Sequence, residues 1–266
     1  MYSAVANIVE QAFRNQEVVT ILEAGCGKGE FCLVLSELLT ENFPSIKFKV
    51  QGFDVNERPE HHQIDSSLVN LISENDNWPY PDNSFDIVMS NQVIEHVKNA
   101  DVFFKELNRV MSIGAYSIHS YPVKEIIIEP HYFLPLVHWV DNWDLRKFII
   151  KFFSRFGLGT FKKQLKDGLT GDLDKWSSMH SDYTTNFTHY LQLNDYLRIA
   201  KCYGFRASCR FTHDYCVYRL LEKLGMNVKP QLKLAQEFSL LNDYLLIHFY
   251  KRIAPILLFL HKRNEM

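Results

Sequence analysis

The apolar positions of the chain change period in a regular way. Val18 to Glu23 is a short apolar run, bounded by a glycine-rich turn, and reads as a buried strand. From Phe31 the apolar residues fall at Phe31, Val34, Leu35, Leu38 and Leu39, the spacing of one helical face. "FKVQGFDV" (Phe48–Val55) is a second strand that ends in an acid, and "WPYPDNSFDIVMS" is a turn followed by a strand at Phe85–Ser90. Asn99 and Asp101 can cap a helix carrying Phe103, Phe104, Leu107, Val110 and Met111 on one face. "SIGAYSIHSYP" predicts a turn and a further strand. Strands alternating with helices at this spacing predict an α/β, doubly wound, Rossmann-like fold with mostly parallel pairing.

The alternation stops after residue 122. Residues 123–191 hold "EPHYFLPLVHW", then "LRKFIIKFFSRF", in which Leu145, Phe148, Ile149, Phe152, Phe153 and Phe156 share a helical face. This stretch predicts a mainly helical insertion after the fifth strand, packed over the sheet on the substrate side. Residues 1–122 would then be the ligand-binding core, and 192–266 its remainder. In that remainder "NDYLRIAKCYGF" reads as a helix ending at Gly204 and "RASCRFTHD" as a strand. "IAPILLFLHKRN" reads as a last strand opened by Pro255, too short in its apolar run to be a membrane span.

Composition narrows the picture further. The chain has 266 residues, 47% apolar, with a formal net charge of −2. That balance argues against a dedicated nucleic-acid binder. Five cysteines without C-x-x-C spacing point to a reducing compartment, and no metal site is expected from their surroundings. With neither a secretory signal nor a run of about 18 apolar residues, a cytoplasmic protein is expected. One local exception to the charge balance stands out. Arg146, Lys147, Lys151, Arg155, Lys162, Lys163 and Lys166 lie between Leu145 and Lys166 with no acid among them. This is either a cap helix with a solvated basic face or a surface for anionic lipid or a phosphate-bearing substrate, at the inner face of a membrane.

The chemistry begins at "ILEAGCGKGEF". Gly25, Gly27 and Gly29 follow a strand and precede a helix, a turn that lets a ligand approach the backbone. The dinucleotide pattern needs a third glycine where this chain has Glu30, and an acid in the first helical turn disfavours a pyrophosphate. Asp54, at the end of the second strand, can accept hydrogen bonds from both hydroxyls of a ribose. The turn at Asp82–Val88 returns a strand to the same edge. Together these describe a nucleoside site without phosphates.

The segments "ILEAGCGKGEF", "GFDVN", "WPYPDNSFDIVMSNQVIEHV" and "FFKELNRVMSIGAYSIHSYP" resemble, in order and spacing, the motifs of class I S-adenosylmethionine-dependent methyltransferases. They are most similar to the small-molecule and glycan branch with a "P-D-x-S-F-D" segment. The resemblance implies a seven-stranded sheet, S-adenosyl-L-methionine as methyl donor and S-adenosyl-L-homocysteine as product. It implies that Glu23 orients the methionine amino group and that Ala24, Gly25, Cys26 and Gly27 pass beneath the cofactor. Asp54 would bind the ribose, Val55 would lie beside the adenine, and Asn75 and Asp76 would contact it. Ser90 and Gln92 would lie near the methionine moiety. His96 stands in an "E-H-V" context, where packing and hydrogen bonding at a helix start are the simpler role. The usual "K-P-G-G" turn is here "S-I-G-A".

Transfer to a hydroxyl gains from a general base. His119, His131, His138 and His180 are the candidates, and His131, just after the fifth strand, is the catalytic choice. "E-P-H-x-x-L-P-x-V-H-W" also resembles a segment in methyltransferases of bacterial glycan and lipid-linked sugar clusters. Three readings follow: a methyltransferase of a sugar or glycan hydroxyl, a methyltransferase of a small molecule such as a quinone or secondary metabolite, and a non-catalytic binding protein on the same fold.

Overall fold

The structure, a computed structural model, describes residues 1–55, 68–73, 77–226, 233–234 and 244–263. Asn75 and Asp76 lie outside the described residues. Strands β1 (Val18–Ala24), β2 (Lys47–Asp54), β3 (Val69–Leu71), β4 (Phe85–Asn91) and β5 (Met111–Tyr121) form a parallel array. A hairpin of β6 (Ile128–Glu129) and β7 (Leu134–Pro135) follows. Strands β8 (Phe205–Ser208) and β9 (Ile256–Lys262) complete the seven-stranded sheet in the order β3-β2-β1-β4-β5-β9-β8, with β9 antiparallel to both neighbours. The fold is therefore α/β, doubly wound and mostly parallel, with a helical insertion after the fifth strand.

Both faces of the sheet are covered, which is why its central strands are continuous apolar runs: Ile87, Val88 and Met89 are all buried. One face packs on α1 (Tyr2–Ile8) and α2 (Glu30–Asn42), through residues such as Val5, Ile8, Leu35 and Leu39. The other packs on α3 (Ala100–Val110) and α7 (Leu193–Cys202), through Phe104, Leu107, Tyr196 and Ala200. The Asn99 side chain accepts from the Val102 N–H and caps α3, as its position predicts.

Two boundaries differ from the sequence reading. The expected turn at "SIGA" is absorbed into β5: Gly114 has φ +83°, and the pairing with β4 slips between Phe85 and Ile87. The strand expected across "RASCRFTHD" ends at Ser208, whose hydroxyl accepts from the Arg210 N–H. The chain then enters α8 (Phe211–Lys223), and Phe211 is buried under the sheet. The last described helix, α9, spans Tyr244–Tyr250.

The insertion contains α4 (Trp143–Arg155), α5 (Phe161–Lys166) and α6 (Leu173–Phe187) around a small core of Tyr132, Leu134, Val137, Ile150, Phe161 and Trp176. Here the sequence reading of α4 is corrected. Its buried line is Arg146, Ile150 and Ser154, while Phe148 and Phe156 are 63% and 70% exposed. The cause is the seam with α6. The Arg146 guanidinium donates to the carbonyls of Val140 and Ser181 and to Thr185 Oγ1. Small residues on α6, Ser177, Ser181 and Thr184, let the helices close on that line. The basic run is also thinner than its sequence: Arg146 is buried, and Lys147 and Lys151 both bind Asp174 at 2.8 Å.

Candidate functional site

Register brings the first two strand ends together. Ala24 pairs with Phe53, so the turn after β1 lands beside Asp54. The amides of Gly25 and Cys26 both donate to the Phe53 carbonyl, and the Gly27 amide donates to Asp54 Oδ2 at 2.8 Å. Gly25 and Gly27 have φ of +70° and +55°, backbone that only glycine adopts freely. A Cβ on Gly25 would meet Val93 at 2.4 Å, whereas one on Gly27 would meet nothing within 4 Å. The open side of Gly27 is a cavity.

That cavity, of about 430 Å³, is lined by Gly25, Gly27, Asp54, Val55 and Gln92 among the residues expected from sequence. Phe53, Trp78 and Phe103 add an aromatic wall, with ring centroids 4.7 Å and 5.2 Å apart in succession. Trp78 is held from behind. Its amide donates to Glu106, and Arg109 donates to the carbonyls of Trp78 and Tyr80 and to Asp82, Glu106. Gln92 has φ +55°, and its amide donates to the Ser120 carbonyl, so the chain turns sharply out of β4 at the cavity rim.

Other expected residues stand behind this lining. Glu23 is buried and accepts from Cys32 Sγ, and burial pushes its carboxyl up to about 7. Cys26 points down against the open face of Gly52, where a Cβ would lie 2.6 Å from its sulfur. Ser90 is fully buried and shares a 2.7 Å hydrogen bond with His119 Nδ1. His119 is itself a core residue, its imidazole pushed down to about 3 by burial. His138 is buried with Nε2 on the Lys124 carbonyl, and His180 is packed against Trp176 with its ring pushed down to about 4 by burial.

His131 differs from these three. Its Nδ1 lies 2.5 Å from Glu129 Oε1. Glu129 is buried and also accepts from the His131 and Tyr132 amides and from the Tyr190 hydroxyl. The imidazole packs 5.2 Å from the ring of His96, a residue of the cavity wall, and 5.1 Å from Tyr183. His96 Nδ1 meets the Phe187 carbonyl, which ties the cavity rim to the end of α6. Beneath His96 lies Glu95, fully buried, its carboxyl pushed up to about 8 by burial. The sequence reading missed Glu95, Glu129, Trp78 and Phe103. The signals were an acid beside the histidine of "I-E-H-V" and an acid two residues before His131, both readable as caps or solvated charges.

Residues 1–207 match the model of a family described as a methyltransferase domain. Ajmaline N-methyltransferase of Rauvolfia serpentina is 30% identical over 105 residues, covering 36% of this chain and 33% of that protein. The chain thus spans about a third of the length of that curated relative. An S-adenosylmethionine-dependent methyltransferase from Mesorhizobium loti is similar over 98% of this chain and 100% of its own, at 14% identity and a TM-score of 0.48. A putative one from Listeria monocytogenes aligns over the same shares at 15% identity and the same score.

Proposed function

The chain belongs to the methyltransferase domain family, and from that premise we propose that its acceptor is the hydroxyl of a sugar or glycan. It is an S-adenosylmethionine-dependent methyltransferase, with S-adenosylhomocysteine as product. The cavity fits that donor: Gly27 leaves its side open, and the buried carboxylate of Asp54 reaches the lining where ribose hydroxyls can donate to it. When bound, the donor supplies a methyl on a sulfonium whose leaving group is neutral. The chain's own residues position and enclose: Gly25 and Gly27 admit the ligand to the backbone, and Phe53, Trp78 and Phe103 keep water from the apolar wall.

The observation that carries the hydroxyl reading is the Glu129–His131 pair. A hydroxyl must lose a proton as it attacks, and a positioned base is worth about 10²–10⁴-fold. Glu129 holds His131 by Nδ1, which leaves Nε2 as the nitrogen that takes the proton. The Tyr183 and Tyr190 rings near it offer flat faces and hydroxyls of the kind that suit a saccharide. His131→Ala should lower kcat by about 10²–10⁴-fold while S-adenosylhomocysteine affinity stays at the wild-type value. Full activity in that variant would remove His131 from the chemistry. Labelled methyl transfer to lipid-linked saccharides, quinones and alkaloids decides the acceptor, and label in the last two alone would overturn the glycan reading. A small-molecule acceptor is the second reading, on the likeness to the Rauvolfia enzyme.

We also propose that the protein works at an anionic membrane surface. Phe148 and Phe152 on α4 and Phe156 at its C-cap are exposed, and Arg155, Lys162, Lys163 and Lys166 are exposed near them in the chain. Aromatic side chains next to lysines suit the interface of an anionic bilayer. Among the described residues no helix is long and apolar enough to cross a membrane.

A further inference from the structure

One side-chain cluster is unexplained by proton transfer alone. Glu95, His96 and His131 each offer a ligand atom, and these atoms lie within 4.8 Å of one another. Glu95 is fully buried, yet neither of its carboxylate oxygens meets a hydrogen-bond partner from another residue. A buried carboxyl with no partner from another residue is costly. Each imidazole meets an outside acceptor at Nδ1: the Phe187 carbonyl for His96 and Glu129 for His131. With Nδ1 engaged as the donor, Nε2 of each ring keeps its lone pair. Carboxylate–histidine and carbonyl–histidine contacts of this kind are the usual outer support of metal-bound imidazole.

We propose that Glu95, His96 and His131 form a binding site for a first-row divalent transition ion, with Zn²⁺ the best match. Two imidazoles and one carboxylate suit zinc or its neighbours, whereas magnesium and calcium prefer all-oxygen shells. Three protein ligands leave at least one position open, the pattern of a catalytic rather than a structural zinc site. Of the three, His96 also lines the cavity, which puts the cluster at the cavity's edge. Held by these residues, such an ion would supply Lewis-acid chemistry that acidifies an acceptor hydroxyl beside it, with the proton released to solvent. The ion and the proton would compete for Nε2 of His131, so the base role proposed above belongs to the ion-free chain and the ligand role to the ion-bound one. The Lewis-acid role rests on the methyl-transfer reading; the binding of the ion does not.

The test is a titration of the metal-stripped full chain with Co²⁺ and Zn²⁺, by calorimetry and absorption. One ion per chain is expected, with a Co²⁺ spectrum of nitrogen and oxygen ligands. Glu95→Gln, His96→Ala and His131→Ala should each weaken binding by about 100-fold or more, and Glu129→Gln by about 10–100-fold. Cys202→Ser, at an exposed cysteine, should leave it unchanged. S-adenosylhomocysteine binding by each variant reports that it has folded. Wild-type protein that takes up no ion, a thiolate band in the Co²⁺ spectrum, or affinity unchanged in all three ligand variants would overturn the site. Should a ligand variant fail to fold, the wild-type spectrum and Glu129→Gln still decide. Wild-type protein that binds the ion but not S-adenosylhomocysteine would leave this site standing and overturn the methyl-donor cavity, so the two failures are told apart.

Discussion

At position 54 one carboxylate serves both the fold and the cavity. Asp54 accepts from the Gly27 amide, which fixes the glycine turn, and it reaches the cavity lining from a buried position. Asp54→Ala should weaken S-adenosylhomocysteine by about 1–3 kcal/mol, from the loss of charge-assisted hydrogen bonds. Unchanged affinity in calorimetry would place the ribose elsewhere. His119 makes a prediction about pH. Burial holds its folded-state pKa near 3, below the value of about 6.5 expected unfolded. The unfolded chain therefore binds the extra proton first. The stability gained from a neutral His119 is complete above about pH 6.5 and is lost as pH falls toward 3, at up to about 1.4 kcal/mol per unit. His119→Gln should remove this part of the slope in denaturant titrations, and identical slopes in the two proteins would contradict the assignment. The sequence showed Asp54 and the glycines clearly because each sits at a fixed offset from a strand end. It preferred His131 to His119, His138 and His180 only by its place after the fifth strand, because burial and the partner on Nδ1, which set the four apart, are not local features of the sequence.

At the scale of elements, α4 is the clearest case of tertiary packing overriding a periodic pattern. Its six apolar positions form a face in sequence, but the buried line is Arg146, Ile150 and Ser154, and of the six only Ile149 and Phe153 pack against the insertion's core. A guanidinium with three strong acceptors and a seam of small residues outweighed the phenylalanines. The exposed stripe then has a consequence that vesicle sedimentation can read. Phe148→Ser with Phe152→Ser, and separately Lys162→Glu with Lys163→Glu, should each reduce binding to phosphatidylserine vesicles. Each exposed lysine near such a surface is worth about 1 kcal/mol, so reversing two should lower partitioning by more than tenfold at low salt. Lys147→Glu should matter less, since Asp174 already binds that lysine. Equal sedimentation of all the variants would end the membrane reading. The elements of the sheet were easier to read. Both-sided burial makes continuous apolar runs, and the turn residues between them are polar or glycine.

For the molecule as a whole, alternation of strand and helix predicted the parallel half of the sheet, and its breakdown after residue 122 was the ground for expecting an insertion. Less legible was the order of the strands at the far edge, since no local pattern says that β9 lies between β5 and β8. That placement bears on how the protein is made. Tyr116 to Tyr121 of β5 pair with Ile256–His261, and β8 is bonded to the sheet only through β9 among the described residues. While a ribosome is still translating the intervening chain, β5 is an open edge lined with unpaired amides and carbonyls, a template for pairing with a neighbouring nascent chain. The cavity is built from β1, β2 and β4, all synthesised early, yet the sheet behind it closes only when residue 262 has left the exit tunnel. Chains stalled at residue 250 should therefore be protease-sensitive and chaperone-bound, and chains stalled well beyond 266 by a C-terminal linker should be neither.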